Sequence, residues 1–273
     1  MPEGSYYRAL TIAGSDSGGG AGIQADLKTF HSLGVYGMSA VTALTAQNTN
    51  GVRSIHSVPS GFLEDQIRAV LDDIGADAVK TGMLESAANV STTARLLREY
   101  GINNVVVDPV MAAKSGDRLL REDAVQAVIG DLFPVALVVT PNLPESEIII
   151  NHKVRTIDDM KFVAETLLLM GAKAAVVKGG HLSGEQALDV FYDGSEFEFL
   201  ESPRLDQAHT HGTGCTFSAA IAAWLARGAP LLEAVRRAKE FVTEAIRHAR
   251  PLGGGTAPVN HLWCAKGESE FET

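Results

Sequence analysis

The run ALTIAGSDSGGGAGIQAD at residues 9–26 determines the fold class predicted for this sequence. It begins with the compact apolar segment Ala9–Ala13, passes through a glycine-rich loop, and continues into a segment where Ile23, Leu27 and Phe30 have helical spacing. A short apolar run that stops at a glycine and leads into a helical pattern predicts a strand buried on both faces, followed by a helix. This strand–helix unit is the building block of a parallel α/β sheet.

The same rhythm continues along the rest of the chain. Apolar runs predict strands at residues 38–46, 78–80, 105–107, 137–139 and 174–177, and a hairpin of residues 190–192 and 197–199. Helical spacing predicts helices at residues 59–74, 86–100, 123–132, 157–170, 214–227 and 231–247. Because strands and helices alternate, we expect an α/β fold with a mostly parallel central sheet and helices on both faces. No linker divides the sequence, so we expect residues 1–273 to form a single domain.

Composition narrows the class of protein. The chain has 273 residues, 23 Lys and Arg against 33 Asp and Glu, and a net charge of −10, which argues against a nucleic-acid partner. The cysteines, Cys215 and Cys264, have neither the spacing of a zinc site nor that of a disulfide framework. The amino terminus shows no signal peptide, and no apolar run approaches the roughly 20 residues of a membrane helix. We therefore expect a cytoplasmic enzyme with no membrane partner.

Polar and glycine residues cluster where the predicted strands end. Ligands bind at the carboxyl ends of the strands in such a sheet, so these residues are the candidate site. They are Gly14–Gly22, Gln47-Asn48, Lys80-Thr81-Gly82, Asp108-Pro109, Thr140-Pro141-Asn142, Lys178-Gly179-Gly180 and the late loop His211-Gly212-Thr213-Gly214.

The first glycine loop allows three interpretations. Residues 20–25, GAGIQA, match the dinucleotide pattern G-x-G-x-x-G/A, but Gln47-Asn48 stands where an acidic residue binds ribose. A Walker A loop is excluded because no glycine precedes Lys-Ser or Lys-Thr. The other interpretations are a flexible turn, or a close backbone approach to a small substrate with Asp26 as a hydrogen-bond acceptor.

The late loop predicts an anion site. Backbone N–H groups at a glycine-rich helix start, here Gly212, Thr213 and Gly214, attract a phosphate, and the helix dipole reinforces them. The dipole also favours a thiolate, so we expect Cys215 to ionise more easily and to act as a base toward a substrate hydroxyl. The alternative is a small buried cysteine that packs under the helix.

Four further residues have both a functional and a structural interpretation. Asn142 and Glu145, three residues apart, can hold water on Mg²⁺ or simply cap a helix. Asp108 can be a second carboxylate on the Mg²⁺ side or a turn former, and Lys178 can reach a phosphate or extend along the surface to solvent. Three histidines near the loops show no metal-ligand spacing: His181, His209 and His211.

Seven motifs together resemble the bacterial hydroxymethylpyrimidine/phosphomethylpyrimidine kinases of thiamine biosynthesis. They occur in the family's order from residue 8 to about residue 262, so the resemblance covers nearly the whole chain. The motifs are TIAGSDSGGGAGIQAD (11–26), TAQNT (45–49), KTGML (80–84), DPVM (108–111), TPNLPE (140–145), VKGGH (177–181) and HGTGCT (211–216).

The resemblance implies a ribokinase-like three-layer α/β/α sandwich, which in this family is often a homodimer. It also implies two successive phosphorylations by ATP, of 4-amino-5-hydroxymethyl-2-methylpyrimidine and then of its monophosphate. The residues implied to line the pyrimidine pocket are Gly14, Asp26, Gln47, Met83 and Val110. Of these, Gln47 and Asp26 would form hydrogen bonds with the ring nitrogens and the amino group. The catalytic anion hole would be Gly212, Thr213 and Gly214 beside Cys215, which replaces the aspartate base of the wider superfamily. Cys215 leaves open whether a thiolate or the phosphate itself takes the proton. On the ATP side the implied residues are Lys178, Asp108 and Asn142, and Asn142 and Glu145 would organise Mg²⁺ through water.

Other functions fit less well. The alternative is a pyridoxal kinase of the same fold, but some of those carry a lid cysteine that residues 111–116 lack, and the Gln47 amide suits an aminopyrimidine. A non-catalytic metabolite sensor would have lost the base and the Mg²⁺ residues. A nicotinamide-dependent dehydrogenase lacks its ribose-binding acid.

Overall fold

The computed structural model of the protein describes residues 5–111, 122–180, 186–205 and 209–264. Residues 112–116, which lack the lid cysteine of some pyridoxal kinases, and His181 lie outside the described residues. The strands are β1 (Arg8–Asp16), β2 (Tyr36–Asn48), β3 (Gly51–Ser57), β4 (Ala78–Thr81), β5 (Val105–Val107), β6 (Val138–Val139), β7 (Ala175–Lys178), β8 (Gln186–Tyr192) and β9 (Phe197–Pro203). The helices are α1 (Gly22–Ser32), α2 (Ser60–Asp73), α3 (Ala87–Glu99), α4 (Glu122–Ala127), α5 (Leu143–Ile150), α6 (Ile157–Leu169), α7 (Thr213–Ala226) and α8 (Leu231–Arg247).

The described strands form one sheet in the order β3-β2-β1-β4-β5-β6-β7-β8-β9. The central pairs from β2 to β7 are parallel, while β3 at one edge and β8 and β9 at the other are antiparallel. The prediction of a mostly parallel sheet is therefore confirmed. Because the parallel strands run in one direction, the loops after them meet at a single edge of the sheet.

Helices cover both faces of this sheet. The alternation along β5 shows the two layers, since Val105 and Val107 belong to one hydrophobic core and Val106 to the other. The first core lies against α2 to α6, and the second lies against α1, α7 and α8. Burying apolar side chains on both faces explains why the strands read as continuous apolar runs.

Helix α7 packs against the sheet through small side chains. Its buried face consists largely of alanines, Ala219, Ala220, Ala222 and Ala223, which let the helix axis approach the strands closely. As a result, its amino terminus, which carries Cys215, sits at the edge where the parallel strands end.

The structure differs from the predicted elements in three places. β3 was not predicted because its side chains are mostly exposed and polar, as Arg53 and His56 illustrate. The predicted helix 123–132 divides into α4 and a π-helical turn, Val128–Leu132. β1 continues through Gly14 to Asp16 because a shift in its pairing with β2 absorbs the glycine. Among the described residues, none of the helices is both long enough and apolar enough to span a membrane.

Candidate active site

A cavity of about 680 Å³ opens at the carboxyl ends of the parallel strands. Each predicted site residue except Asp26 lies on its wall: Gly14, Gln47, Met83, Asp108, Val110, Asn142, Glu145, Lys178, Gly212, Thr213, Gly214 and Cys215. Residues from seven separate strand ends, loops and helix starts therefore line one cavity.

The first glycine loop folds around the carboxylate of Asp16. This carboxylate accepts hydrogen bonds from the backbone N–H groups of Gly18, Gly20 and Ala21 at 2.8 to 3.1 Å. His211 Nε2 lies 3.0 Å from Asp16 Oδ2. Burial opposes ionisation of Asp16, but the hydrogen bonds from His211 and the backbone outweigh it and keep its pKa below the ordinary value. The loop is thus a turn that several hydrogen bonds hold around an anionic side chain.

The two glycine loops touch each other at Gly20 and Gly212. Gly212 precedes α7 with a φ of 80°, and a Cβ atom there would overlap the carbonyl oxygen of Gly20. Only glycine can both adopt this positive φ and leave space for the carbonyl oxygen of Gly20. The first N–H groups of α7 have no acceptor within the helix, although that of Thr213 donates to the Thr210 carbonyl at 3.4 Å. With the helix dipole they suit an anion, so the anion site at this helix start stays a prediction.

The thiol of Cys215 does not ionise easily in this environment. Burial raises its pKa to about 11, with Asp26 and Asp108 acting in the same direction. The nearby Lys80 ammonium and a hydrogen bond from the Gly22 backbone lower it without compensating. The expectation of an easily formed thiolate is therefore wrong, because loss of hydration outweighs the helix dipole.

Asp26 lies behind the cavity wall. Its two carboxylate oxygens accept hydrogen bonds from Lys80 Nζ at 2.9 and 2.8 Å, and Thr11 Oγ1 donates to Oδ2 at 2.6 Å. Both side chains of the Asp26–Lys80 ion pair are 0% exposed. The expectation that Asp26 forms a hydrogen bond with the pyrimidine ring is therefore corrected. Its carboxylate oxygens are buried and already accept hydrogen bonds from Lys80 and Thr11.

Lys80 is the group that borders the cavity in place of Asp26. Burial opposes its charge, but Asp26, Cys215 and Asp108 outweigh burial and raise its pKa. Gly82 leaves space for the ammonium group, since a Cβ atom there would lie 2.9 Å from Lys80 Nζ. The sequence analysis placed Lys80 among the residues at the strand ends but gave it no role, because its partner Asp26 is distant in the sequence.

A second ion pair lies beside the anion site. Lys178 Nζ is 2.9 Å from Asp108 Oδ1, and Ser218 and Thr140 each donate a hydrogen bond to Asp108 at 3.3 Å. Burial opposes the charge of Lys178, but Asp108 and Glu145 raise its pKa. The lysine is therefore held as a cation next to Gly214, where an anionic group would approach.

Asn142 and Glu145 form the capping box of α5. Asn142 Oδ1 accepts from the Glu145 backbone, and Glu145 Oε2 accepts from the Asn142 backbone, both at 2.8 Å. Burial and the neighbouring Asp108 raise the pKa of Glu145 to about 7, although Lys178 lowers it. The prediction that Asn142 and Glu145 cap a helix is thus confirmed. Carboxylate oxygens of Glu145 and Asp108 on one wall also fit a water-mediated Mg²⁺ ion, so that role stays a prediction.

The remaining predicted residues lie at one end of the cavity. Met83 packs directly against Gly14, where a Cβ atom would overlap its methyl group, and Val110 lines the same cavity. The Gln47 amide lies between Thr45 Oγ1, at 3.2 Å, and His211 Nε2, at 3.4 Å. This end combines an apolar floor with one amide, which suits a small heteroaromatic ring.

The opposite end of the cavity was not foreseen from the sequence. Its wall includes Val242 and Ile246 of α8, together with a buried ion pair in which Lys239 Nζ lies 2.7 Å from Asp189 Oδ2. Asp189 also accepts a hydrogen bond from the Gly179 backbone at 3.0 Å. In the sequence these residues belong to an ordinary amphipathic helix and a hairpin strand. The signal was weak: Asp189 lies in an apolar strand, and Lys239 lies on the buried face of α8.

Comparison with known proteins places the chain in a family. The model of the phosphomethylpyrimidine kinase family matches residues 16–260. The chain belongs to the phosphomethylpyrimidine kinase family. The family and the kinase activity predicted from the motifs are therefore confirmed.

Similar proteins and solved structures agree with this family assignment. A hydroxymethylpyrimidine/phosphomethylpyrimidine kinase of Bacillus subtilis is 48% identical over 94% of this chain and 96% of its own length. A thiamine biosynthesis bifunctional protein of Geobacter sulfurreducens is 52% identical over 97% of this chain, which spans only 54% of that relative. The crystal structure of Bacillus subtilis pyridoxal kinase with ADP has a TM-score of 0.90 at 43% identity and covers 94% of this chain and 98% of its own. The ribokinase-like fold is thereby confirmed, and ATP use is supported.

Proposed function

We propose that this kinase transfers phosphoryl groups from ATP to 4-amino-5-hydroxymethyl-2-methylpyrimidine and then to its monophosphate, as a step of thiamine biosynthesis. The observation that carries the proposal is the order of groups along one cavity. Along the sheet, Gln47 lies on β2, Lys178 on β7 and the Asp189 partner of Lys239 on β8. The Gln47 end suits the ring, Lys178 and the start of α7 suit the phosphates, and the Lys239 end suits the rest of a nucleotide.

The middle of the cavity supports phosphoryl transfer. The hydroxymethyl oxygen attacks the γ-phosphorus of ATP, and the bond from that phosphorus to the ADP oxygen breaks. N–H groups at the start of α7 and the Lys178 ammonium stabilise the negative charge on the transferring group. Bound Mg²⁺ would neutralise phosphate charge, and Asp108, Asn142 and Glu145 are the residues that would hold it through water.

The proton of the substrate hydroxyl has two possible acceptors. Because burial raises the pKa of Cys215 to about 11, the thiol is neutral near pH 7. We therefore favour transfer of the proton to an oxygen of the phosphoryl group, with the thiol positioned against the substrate.

A second candidate function is phosphorylation of pyridoxal, which the likeness to pyridoxal kinase favours. The test is an ADP-release assay with ATP and Mg²⁺ on hydroxymethylpyrimidine, its monophosphate and pyridoxal. We expect turnover of both pyrimidines to exceed that of pyridoxal. Turnover of pyridoxal alone would contradict the proposal while keeping the kinase assignment.

We also propose a single kinase domain that acts as a cytoplasmic homodimer. One sheet includes every described strand, which supports the single domain. Both cysteines are free thiols, as expected in a reducing compartment. Sedimentation analysis of the full chain at micromolar concentration tests the dimer, and a monomer would contradict it.

A further inference from the structure

The Gln47 amide lies between two hydrogen-bonding side chains whose own partners are already determined. Its Nε2 is 3.4 Å from His211 Nε2, and its Oε1 is 3.2 Å from Thr45 Oγ1. An amide can turn by half a rotation in the same space, which exchanges its nitrogen and oxygen. The partners of the two neighbouring groups decide which orientation forms hydrogen bonds.

His211 acts as a hydrogen-bond donor on the side that faces Gln47. Its Nε2 lies 3.0 Å from Asp16 Oδ2, and Asp16 already accepts three backbone N–H groups, as an ionised carboxylate does. An ionised carboxylate only accepts hydrogen bonds, so the proton is on His211 Nε2. A protonated Nε2 has no lone pair to accept an amide N–H, so the amide atom that faces it is the oxygen, which shares this N–H with Asp16.

Thr45 acts as an acceptor on the other side. Its hydroxyl has one proton, and the carbonyl oxygen of Ser15, 2.9 Å away, can only accept it. Thr45 Oγ1 then faces the amide of Gln47 with a lone pair, which can only accept a hydrogen bond. The amide atom facing Thr45 must therefore be a donor, which is the same conclusion reached from His211.

We infer that Asp16, through His211, and Ser15, through Thr45, hold the Gln47 amide with Oε1 toward His211 and Nε2 toward Thr45. His211 and Thr45 are then positioning residues that determine substrate specificity. In this orientation one lone pair of Oε1 and one N–H of Nε2 remain for the ligand, in a set order. An aminopyrimidine edge, with an amino group beside a ring nitrogen, pairs with such an amide in the way that Gln pairs with adenine.

The fold builds this arrangement from distant segments. Gly20 leaves space for the ring of His211, since a Cβ atom there would lie 2.5 Å from its Cδ2. The backbone of His211 is fixed in turn, because its N–H donates to the carbonyl of Ala257 at 3.1 Å. His211 thus has little freedom to turn away from Gln47.

The orientation is tested directly by a neutron crystal structure of the perdeuterated enzyme, which needs no substrate. We expect a deuteron on His211 Nε2 that points at Asp16, and the ND₂ group of Gln47 on the Thr45 side. An ND₂ group on the His211 side would overturn the inference, whatever the substrate proves to be.

The consequence for specificity rests on the proposed function and is tested by kinetics. We expect His211→Phe and Thr45→Val each to raise KM for hydroxymethylpyrimidine about fivefold, because each removes one of the two polar groups that hold the amide in one orientation. KM for ATP stays within about twofold, since neither side chain lies at the nucleotide end. Thr45→Ser, which retains the hydroxyl, is the matched control and keeps the wild-type KM.

The double variants separate positioning from a general structural effect. In the Gln47→Leu background there is no amide to orient, so His211→Phe and Thr45→Val cause no further rise in KM. Effects that add in full in that background would overturn the positioning role. Failure of the wild-type enzyme to phosphorylate either pyrimidine would contradict the proposed function instead, and the neutron structure would still decide the orientation.

Discussion

Cys215 illustrates how one residue's surroundings change its chemistry. Its position in the first turn of α7 favours a thiolate, but its burial raises the pKa to about 11. A general base contributes typically 10²- to 10⁴-fold to a rate, so we expect Cys215→Ala to lower kcat by less than about 10²-fold. The measurement is kcat with both substrates saturating, for wild type and variant, from pH 6.5 to 10. A larger loss, with a wild-type kcat that climbs steadily toward the high end of that range, would identify the thiolate as the base.

Glu145 links the site to the pH dependence of stability. Its pKa is raised from 4.5 in the unfolded chain to about 7 in the folded protein, mainly by burial. Between these values the folded state binds more protons than the unfolded state, so this group makes stability fall as pH rises from 4.5 to 7. Glu145→Gln removes the titration and keeps an oxygen for the capping box. We expect its free energy of unfolding, relative to wild type, to be higher at pH 8 than at pH 5. Urea unfolding at both values gives the answer, and an equal difference at the two would refute the titration.

Among the connecting elements, the contact between the two glycine loops leaves the least space for a side chain. Gly212→Ala places a Cβ atom against the carbonyl of Gly20 at a φ of 80° and forces the anion site apart. We expect kcat/KM for ATP to fall by roughly 10²-fold or more, comparable to the loss of an oxyanion donor. Gly228→Ala is the matched control, because Gly228 has a φ of 84° but no atom within 4 Å of the added carbon. It is expected to cost about 1 kcal/mol of stability and to keep kcat/KM. Equal effects of the two variants would show that strain alone, and not the loop contact, matters.

Elements could be predicted from the sequence where local pattern and tertiary role agree. The apolar run Val105–Val107 is a buried strand as predicted, and the helix predicted from residue 214 begins one residue earlier, at Thr213. The Lys80–Asp26 pair was not predicted, because 54 residues separate its members and only the sheet brings them together. The Lys239–Asp189 pair was missed for the same reason, since α8 and β8 meet only in the folded protein. Local reasoning thus located the edge of the sheet that carries the site but not the partners within it.

At the scale of the whole molecule, the segment at residues 256–260 ties distant parts of the fold to the site. The Thr256 N–H donates to the carbonyl of Thr49, at 3.0 Å, and the Asn260 N–H donates to Ala245 in α8, at 2.9 Å. Between them, Val259 donates to the carbonyl of His211 at 3.2 Å. The segment therefore joins the end of β2, the late glycine loop and α8, the three parts that frame the cavity.

Val259→Pro tests this role, because proline has no N–H to donate. The carbonyl of His211 then loses its partner, and we expect stability to fall by about 1–3 kcal/mol more than in Val259→Ala, which keeps the N–H. Because the same loop carries His211 and the anion site, KM for the pyrimidine and for ATP both rise in the proline variant. The alanine variant loses packing at a residue that is 3% exposed but retains both KM values. Urea unfolding and steady-state kinetics on the two variants measure this difference. Matching stabilities and KM values would mean that the loop holds its position without the segment, and that α7 alone orients the anion site.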